Sequence, residues 1–215
     1  MSQIVTIFAT KCNAETMANS TDDHIVKRIR NFRKQRLFFT DDFVDIANYK
    51  AVSKALERLT VKGTVIRVAK GIYARHKVDP LLGDILPTTE QIAEAIAKRD
   101  HARIVPTGAY ALNALGLSTQ VPMNVVYLTD GTARKIKIGK QSIQFKKTNP
   151  KNLAAKGKIS SLVIQALKAI GNNKMKEDDH LKIMKILKEE KAEHLNHDIK
   201  LAPEWIRRIM KEALN

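Results

Sequence analysis

Lys50, Ser53, Lys54, Glu57 and Arg58 fall three or four residues apart and share one face of any helix that contains them, opposite Val52, Ala55, Leu56 and Leu59. Ammonium, hydroxyl and guanidinium groups gathered in this way suit two kinds of contact with a duplex. Short polar groups near a helix start approach base edges, and cations further along neutralise phosphates. Ser53 and Lys54 take the first role, with Tyr49 and Lys50 at the helix entry, and Arg58 takes the second. Arg67 and Lys70 follow on an alternating stretch, and Arg28, Arg30 and Lys34 precede on an earlier helical one, all suited to backbone contacts that fix register. Between Lys50 and Lys77 the only acidic residue is Glu57. A lysine-rich face is also what a solvated helix shows, so the inference rests on the set and on no single residue.

The elements that must position these residues are legible in outline. Ile25, Ile29 and Phe32 recur with helical spacing from Asp22 onward, with acidic residues at the start to suit the helix dipole. Leu37, Phe38 and Phe39 form a short apolar run, after which Thr40 caps a second helix expected over about 41–47. Asn48 and Tyr49 turn the chain into a third helix that Gly63 ends. Residues 64–68 then alternate, 69–71 turn, and 72–74 return. Helix, strand, helix, tight turn, helix and hairpin is the order of a winged helix-turn-helix, expected over residues 22–78. Residues 1–21, with Cys12, read as a tail or an edge strand, and one cysteine permits neither an intrachain disulfide nor a thiolate zinc cluster.

Residues 79–215 read as a second, mixed domain, so the fold class expected is α+β. A helix from Thr88 to Arg99, an extended stretch over 103–106 and a helix over 107–115 lead into three alternating segments, 123–128, 134–138 and 142–147. Asp130-Gly131 and Gly139-Lys140 suit hairpin turns, so these segments predict a small antiparallel sheet. Helices are expected over 159–170, 178–194 and 203–214, the last with Pro203 in its first turn.

Composition bounds the function. A net charge of +16 and a pI near 9.9 fit a partner rich in phosphate. The excess sits early: residues 1–78 carry 15 basic and 7 acidic side chains, whereas 159–215 carry 11 and 9. No apolar run reaches the roughly 18 residues that cross a bilayer and no leader pattern opens the chain, so a cytoplasmic protein without a membrane partner is expected. Asp130, Gln144 and Lys146 loosely resemble the metal and lysine positions of restriction-type nucleases, but aspartate before Gly131 is common in turns for backbone reasons. Glu190, His194 and His197 have the spacing of zinc ligands along a helix, although free surface histidines are the commoner case. Met175, Met184 and Met210 read as core filling. No enzyme activity, metal or cofactor is expected. A remaining alternative is an interaction module whose C-terminal helices bind a protein or a second copy of the chain.

The stretch VSKALERLTVKGTVIRVAKGIYARHKVDPLLG, followed by PTGAYALNALGLSTQVPMNVVYLTDGTARKIKIG, resembles the AbiE-type antitoxins of type IV toxin-antitoxin systems over about residues 24–150. The resemblance implies a bacterial antitoxin whose winged helix-turn-helix represses its own operon, and a following domain that counters a nucleotidyltransferase-like toxin without requiring a stable complex. Its operator is expected to be double-stranded DNA with inverted repeats, which suit two bound protomers, a homodimer on DNA being one arrangement. The small and apolar residues of GAYALNALGLSTQVP equally suit a helix packed on a sheet, which is the reading favoured here. The chain after residue 156 does not share the resemblance.

Overall fold

A computed structural model describes residues 20–32, 36–81 and 83–214. Within them eight α-helices and short strands give an α+β protein in two units, one ending at Ile85 and the other beginning at Leu86. The expected tail, Cys12 included, and Lys34 lie outside the described residues.

The first unit runs α1 (Thr21–Asn31), β1 (Leu37–Phe39), a 3₁₀ helix (Thr40–Phe43), α2 (Tyr49–Val61), β2 (Val65–Ala69) and β3 (Ile72–Arg75). α1 starts at a capping box in which the Ser20 hydroxyl accepts from the Asp23 amide while Asp23 accepts from the Ser20 amide. α2 starts where the Asn48 side chain accepts from the Ala51 amide at 2.9 Å. Ile25 and Ile29 of α1 and Val52, Ala55, Leu56 and Leu59 of α2 enclose a core completed by Phe38, Phe43, Val65 and Tyr73. The strands form an antiparallel sheet in the order β1, β3, β2.

The second helix expected over 41–47 is instead a 3₁₀ turn that ends at Phe43. The Ile46 amide bonds the Phe43 carbonyl at 3.0 Å, three residues back, and not the Asp42 carbonyl that an α-helix would use, which accepts from Arg28 at 3.0 Å. The tighter winding delivers the Phe43 ring edge-on to Phe38, with centroids 5.7 Å apart.

The first unit also extends past residue 78. β4 (Val78–Asp79) and β5 (Gly83–Asp84) pair as a small antiparallel ladder. His76 ties this ladder to the end of α2, with Nδ1 2.9 Å from the Gly63 carbonyl and Nε2 2.8 Å from an Asp84 carboxylate oxygen. The Asp84 carboxylate and then the Gly63 carbonyl raise the imidazole above its ordinary 6.5. The clip therefore contributes fully below pH 6.5 and is lost as pH rises through the higher folded value. Proton-detected titration of His76 should give a midpoint above 6.5 that Asp84→Asn returns toward that value; a midpoint unmoved by the substitution would contradict the clip.

In the second unit, α3 (Thr89–Arg99), β6 (Ile104–Thr107), α4 (Ala109–Ala114), β7 (Asn124–Thr129), β8 (Arg134–Ile138) and β9 (Gln141–Lys147) precede the helices α5 (Lys158–Ile170), α6 (Glu177–Leu187), α7 (Ala192–Ile199) and α8 (Glu204–Glu212). Strands lie where the alternation places them, but the sheet is mixed, in the order β6, β7, β9, β8. β8 and β9 form the expected antiparallel hairpin through Gly139, whose φ of 55° favours glycine, whereas β7 runs parallel to β9. Asp130-Gly131 is not a hairpin turn, because Asp130 accepts from the Arg103 amide and Nε, both at 2.8 Å. That anchors the end of β7 beside the start of β6, so the chain crosses to the far edge and β9 returns into the gap.

The remaining helices close around Ala111, Leu115, Val163, Leu167, Ile183, Leu187, Leu195, Ile206 and Met210. GAYALNALGLSTQVP thus contributes packing residues, and Met175 and Met184 lean on the same cluster. The single helix expected over 178–194 is divided into α6 and α7 because Glu190 leaves the helical path to cap α5. Its carboxylate accepts from the amides of Ile159 at 2.9 Å and Ser160 at 3.1 Å. Asp198 of α7, fully buried, accepts from the amides of Lys156 and Gly157, both at 2.8 Å, and from the Ser160 hydroxyl at 2.7 Å. Two carboxylates from a distant part of the chain thus satisfy the first N–H groups of α5, whose own N-cap, Gly157, has no side chain to do so.

Candidate nucleic-acid interface

α2 buries Val52, Ala55, Leu56 and Leu59, which turns Lys50, Lys54, Glu57 and Arg58 outward as exposed side chains, with Ser53 half-buried at the edge of the face. Tyr49, 57% exposed, stands at the first position of the helix. On the hairpin that follows, Arg67 is exposed on β2 and Lys70 is exposed in the turn to β3, beside an irregularity in register between Arg67 and Ala69. Arg30 is exposed on α1.

Hairpin and helix meet over Tyr73. This buried ring lies opposite Arg67 in the β2–β3 register. Burial raises its hydroxyl above the ordinary 10.0, the Arg67 cation opposes that shift, and Glu57 and Tyr49 of α2 add to it. Arg67 of the hairpin and Glu57 and Tyr49 of α2 thus all act on the Tyr73 hydroxyl. Tyr73 itself is a core residue, as its alternation in β3 reads.

Two expected phosphate contacts are engaged elsewhere. Arg28 donates both terminal nitrogens to Asp45 at 2.6 Å, besides its bond to the Asp42 carbonyl. Arg58 donates Nε to Asp22 at 3.0 Å and a second nitrogen to the other oxygen of the same carboxylate. These fork-shaped pairs hold α1 against the turn after the 3₁₀ helix and against the end of α2. The hydrogen bonds from Arg28 and Arg58 hold the carboxyls of Asp45 and Asp22 below the usual range. Asp22, read in the sequence as a helix-start charge, thus has a partner 36 residues away that spacing on one helix does not reveal.

The other residues singled out by sequence also have structural partners. Asp130 is bound twice by Arg103, and Lys146 and Gln144 lie on β9 in register with Leu128 and Val126. Glu190 caps α5 while His194 stands 3.6 Å from its other oxygen, and His197 Nδ1 lies 2.7 Å from Asp198. No helix of the described residues is long and apolar enough to cross a membrane.

Comparison with known families and structures gives one assignment. The family described as "Family of unknown function (DUF6088)" matches residues 24–195, and the chain belongs to that family. No curated protein matches it. Among solved structures, the chain is similar to the crystal structure of RV2827C protein from Mycobacterium tuberculosis, with 11% identity and a TM-score of 0.44 over 89% of this chain and 81% of that one.

Proposed function

We propose that this member of the family binds duplex DNA as a transcriptional repressor, its first unit acting as a winged helix-turn-helix with α2 in the major groove and the β2–β3 hairpin as the wing. The observation that supports this reading is the exposure of Lys50 and Lys54 on α2, opposite its buried stripe, and of Arg67 and Lys70 on the hairpin that follows. Ser53 and Lys54 face base edges, while Arg30, Lys50, Arg67 and Lys70 contact phosphates. Arg28 and Arg58 act one step back, by fixing α1 against the elements that carry those groups. The sequence resemblance to AbiE-type antitoxins extends the proposal to an autoregulating antitoxin in the bacterial cytoplasm, paired with a nucleotidyltransferase toxin. It acts on inverted repeats upstream of its own gene, without requiring a stable toxin complex.

Gel-shift titration on that upstream region and on shuffled duplex tests the assignment. Lys54→Ala should remove about 1–3 kcal/mol from binding to the upstream region and little from binding to shuffled DNA, whereas Lys70→Ala should weaken both alike. Equal losses on both duplexes for both variants would remove the division of roles.

A further inference from the structure

Within the second unit a cavity of about 590 Å³ opens between α3, β6, β7 and α5, walled on its apolar side by Ile104, Val105, Pro106, Leu153 and Leu162. That volume suits a small organic ligand. Its polar groups are unevenly placed. Glu90 and Glu94 stand one turn apart on α3 and both line the cavity. Tyr110 of α4 donates its hydroxyl to Glu90 at 3.0 Å. Tyr127 of β7 is 2% exposed, with its ring 6.0 Å from that of Tyr110, and its buried hydroxyl lies beside the Tyr110 hydroxyl without forming a well-aligned hydrogen bond. Unpartnered buried hydroxyls are few in native proteins and call for an explanation.

The charged groups that act on the two phenols at this end of the cavity are the carboxylates Glu90 and Glu94. Burial, reinforced by the hydrogen bond to Glu90, pushes the Tyr110 hydroxyl up to about 12. Burial, then the neighbouring Tyr110 hydroxyl and the Glu90 and Glu94 carboxylates, push Tyr127 up as well, so both stay neutral phenols at any ordinary pH. Three cations, Arg103, Lys156 and Lys158, also line the cavity. Lys158 reaches only 3.6 Å from Glu90 with its side chain 80% exposed, and Arg103 is bound to Asp130. In a chain of net charge +16, two carboxylates and two phenol oxygens turned into one apolar cleft form a site for positive charge.

We propose that this cavity binds a small organic cation, its ammonium or guanidinium head held by Glu90, Glu94 and the hydroxyl of Tyr127 against the face of Tyr110, and its carbon skeleton lying on the apolar wall. This proposal does not depend on the DNA reading. The rival occupant is a nucleotide, with phosphate on Lys156 and Lys158 at the rim.

Calorimetric titration of the full chain with N-butylguanidinium, its neutral isostere N-butylurea, and guanosine monophosphate separates these. The guanidinium compound should bind at least about tenfold more tightly than the urea, and Glu90→Gln with Glu94→Gln should cost about tenfold or more, since the amide keeps the acceptor for Tyr110 but not the charge. Should the double variant fail to fold, Glu94→Gln alone carries the same test, because its carboxylate lacks an ion-pair partner among the described residues. Equal binding of cation and isostere, undiminished binding to the variants, preference for the nucleotide, or no binding of the cation would each overturn the proposal.

Discussion

Replacing Asp198 with alanine should destabilise the second unit by about 3 kcal/mol, because two amides and a hydroxyl then lose their buried acceptor together. Gly157→Ala should act on the same cradle. A Cβ at that position would lie 2.2 Å from the Ser160 hydroxyl and 2.3 Å from a Glu190 carboxylate oxygen, so the cap would have to open. Trp205, the only tryptophan in the chain, packs against the helical core of this unit, and its fluorescence reports the unfolding directly. The same cap sets an acid limit. Burial alone would raise the carboxyls of Asp198 and Glu190, but the converging donors outweigh it and both lie below their ordinary values of 3.8 and 4.5. Their contribution is complete above those values and erodes as pH falls through them toward the lower folded ones. Denaturant titrations of the parent chain should therefore lose stability on entering this acid range, and Asp198→Ala should show a flatter acid profile. A variant within about 0.5 kcal/mol of the parent at neutral pH would show that the cap contributes little.

Local pattern made much of this fold legible. The spacing of Val52, Ala55, Leu56 and Leu59 defined the buried stripe of α2 and, by exclusion, the outward face that carries Lys50 and Lys54. Alternation located β7, β8 and β9 within a residue or two at each end. What pattern did not supply was partnership at a distance. Asp130 meets Arg103 where β7, paired in parallel with β9, ends, and Glu190 meets the start of α5 where α6 and α7 separate. Similarly, Arg28 and Arg58 read as free cations on helix faces until Asp45 and Asp22 are brought beside them. The cavity was hidden for the same reason, since Glu90, Tyr110 and Tyr127 come from three separate elements whose individual patterns read as ordinary helix and strand.

The cations exposed on α2 and the hairpin imply a strong electrostatic signature. With Arg28 and Arg58 engaged internally and Lys54 directed at base edges, about four cations, Arg30, Lys50, Arg67 and Lys70, remain to displace counterions, so the log-log dependence of affinity on salt should have a slope of roughly −3 to −4. Between 50 and 200 mM salt that slope weakens binding by roughly a hundredfold. Removing Arg67 and Lys70 together should reduce the slope by about two without altering the fold, since both are exposed on the hairpin. The most direct measurement is fluorescence anisotropy of a labelled upstream duplex titrated with the parent chain and with this double variant across that salt range. A steep slope for the parent that the variant diminishes is the expected result, and a flat response, or one identical in the two proteins, would contradict DNA binding through this surface.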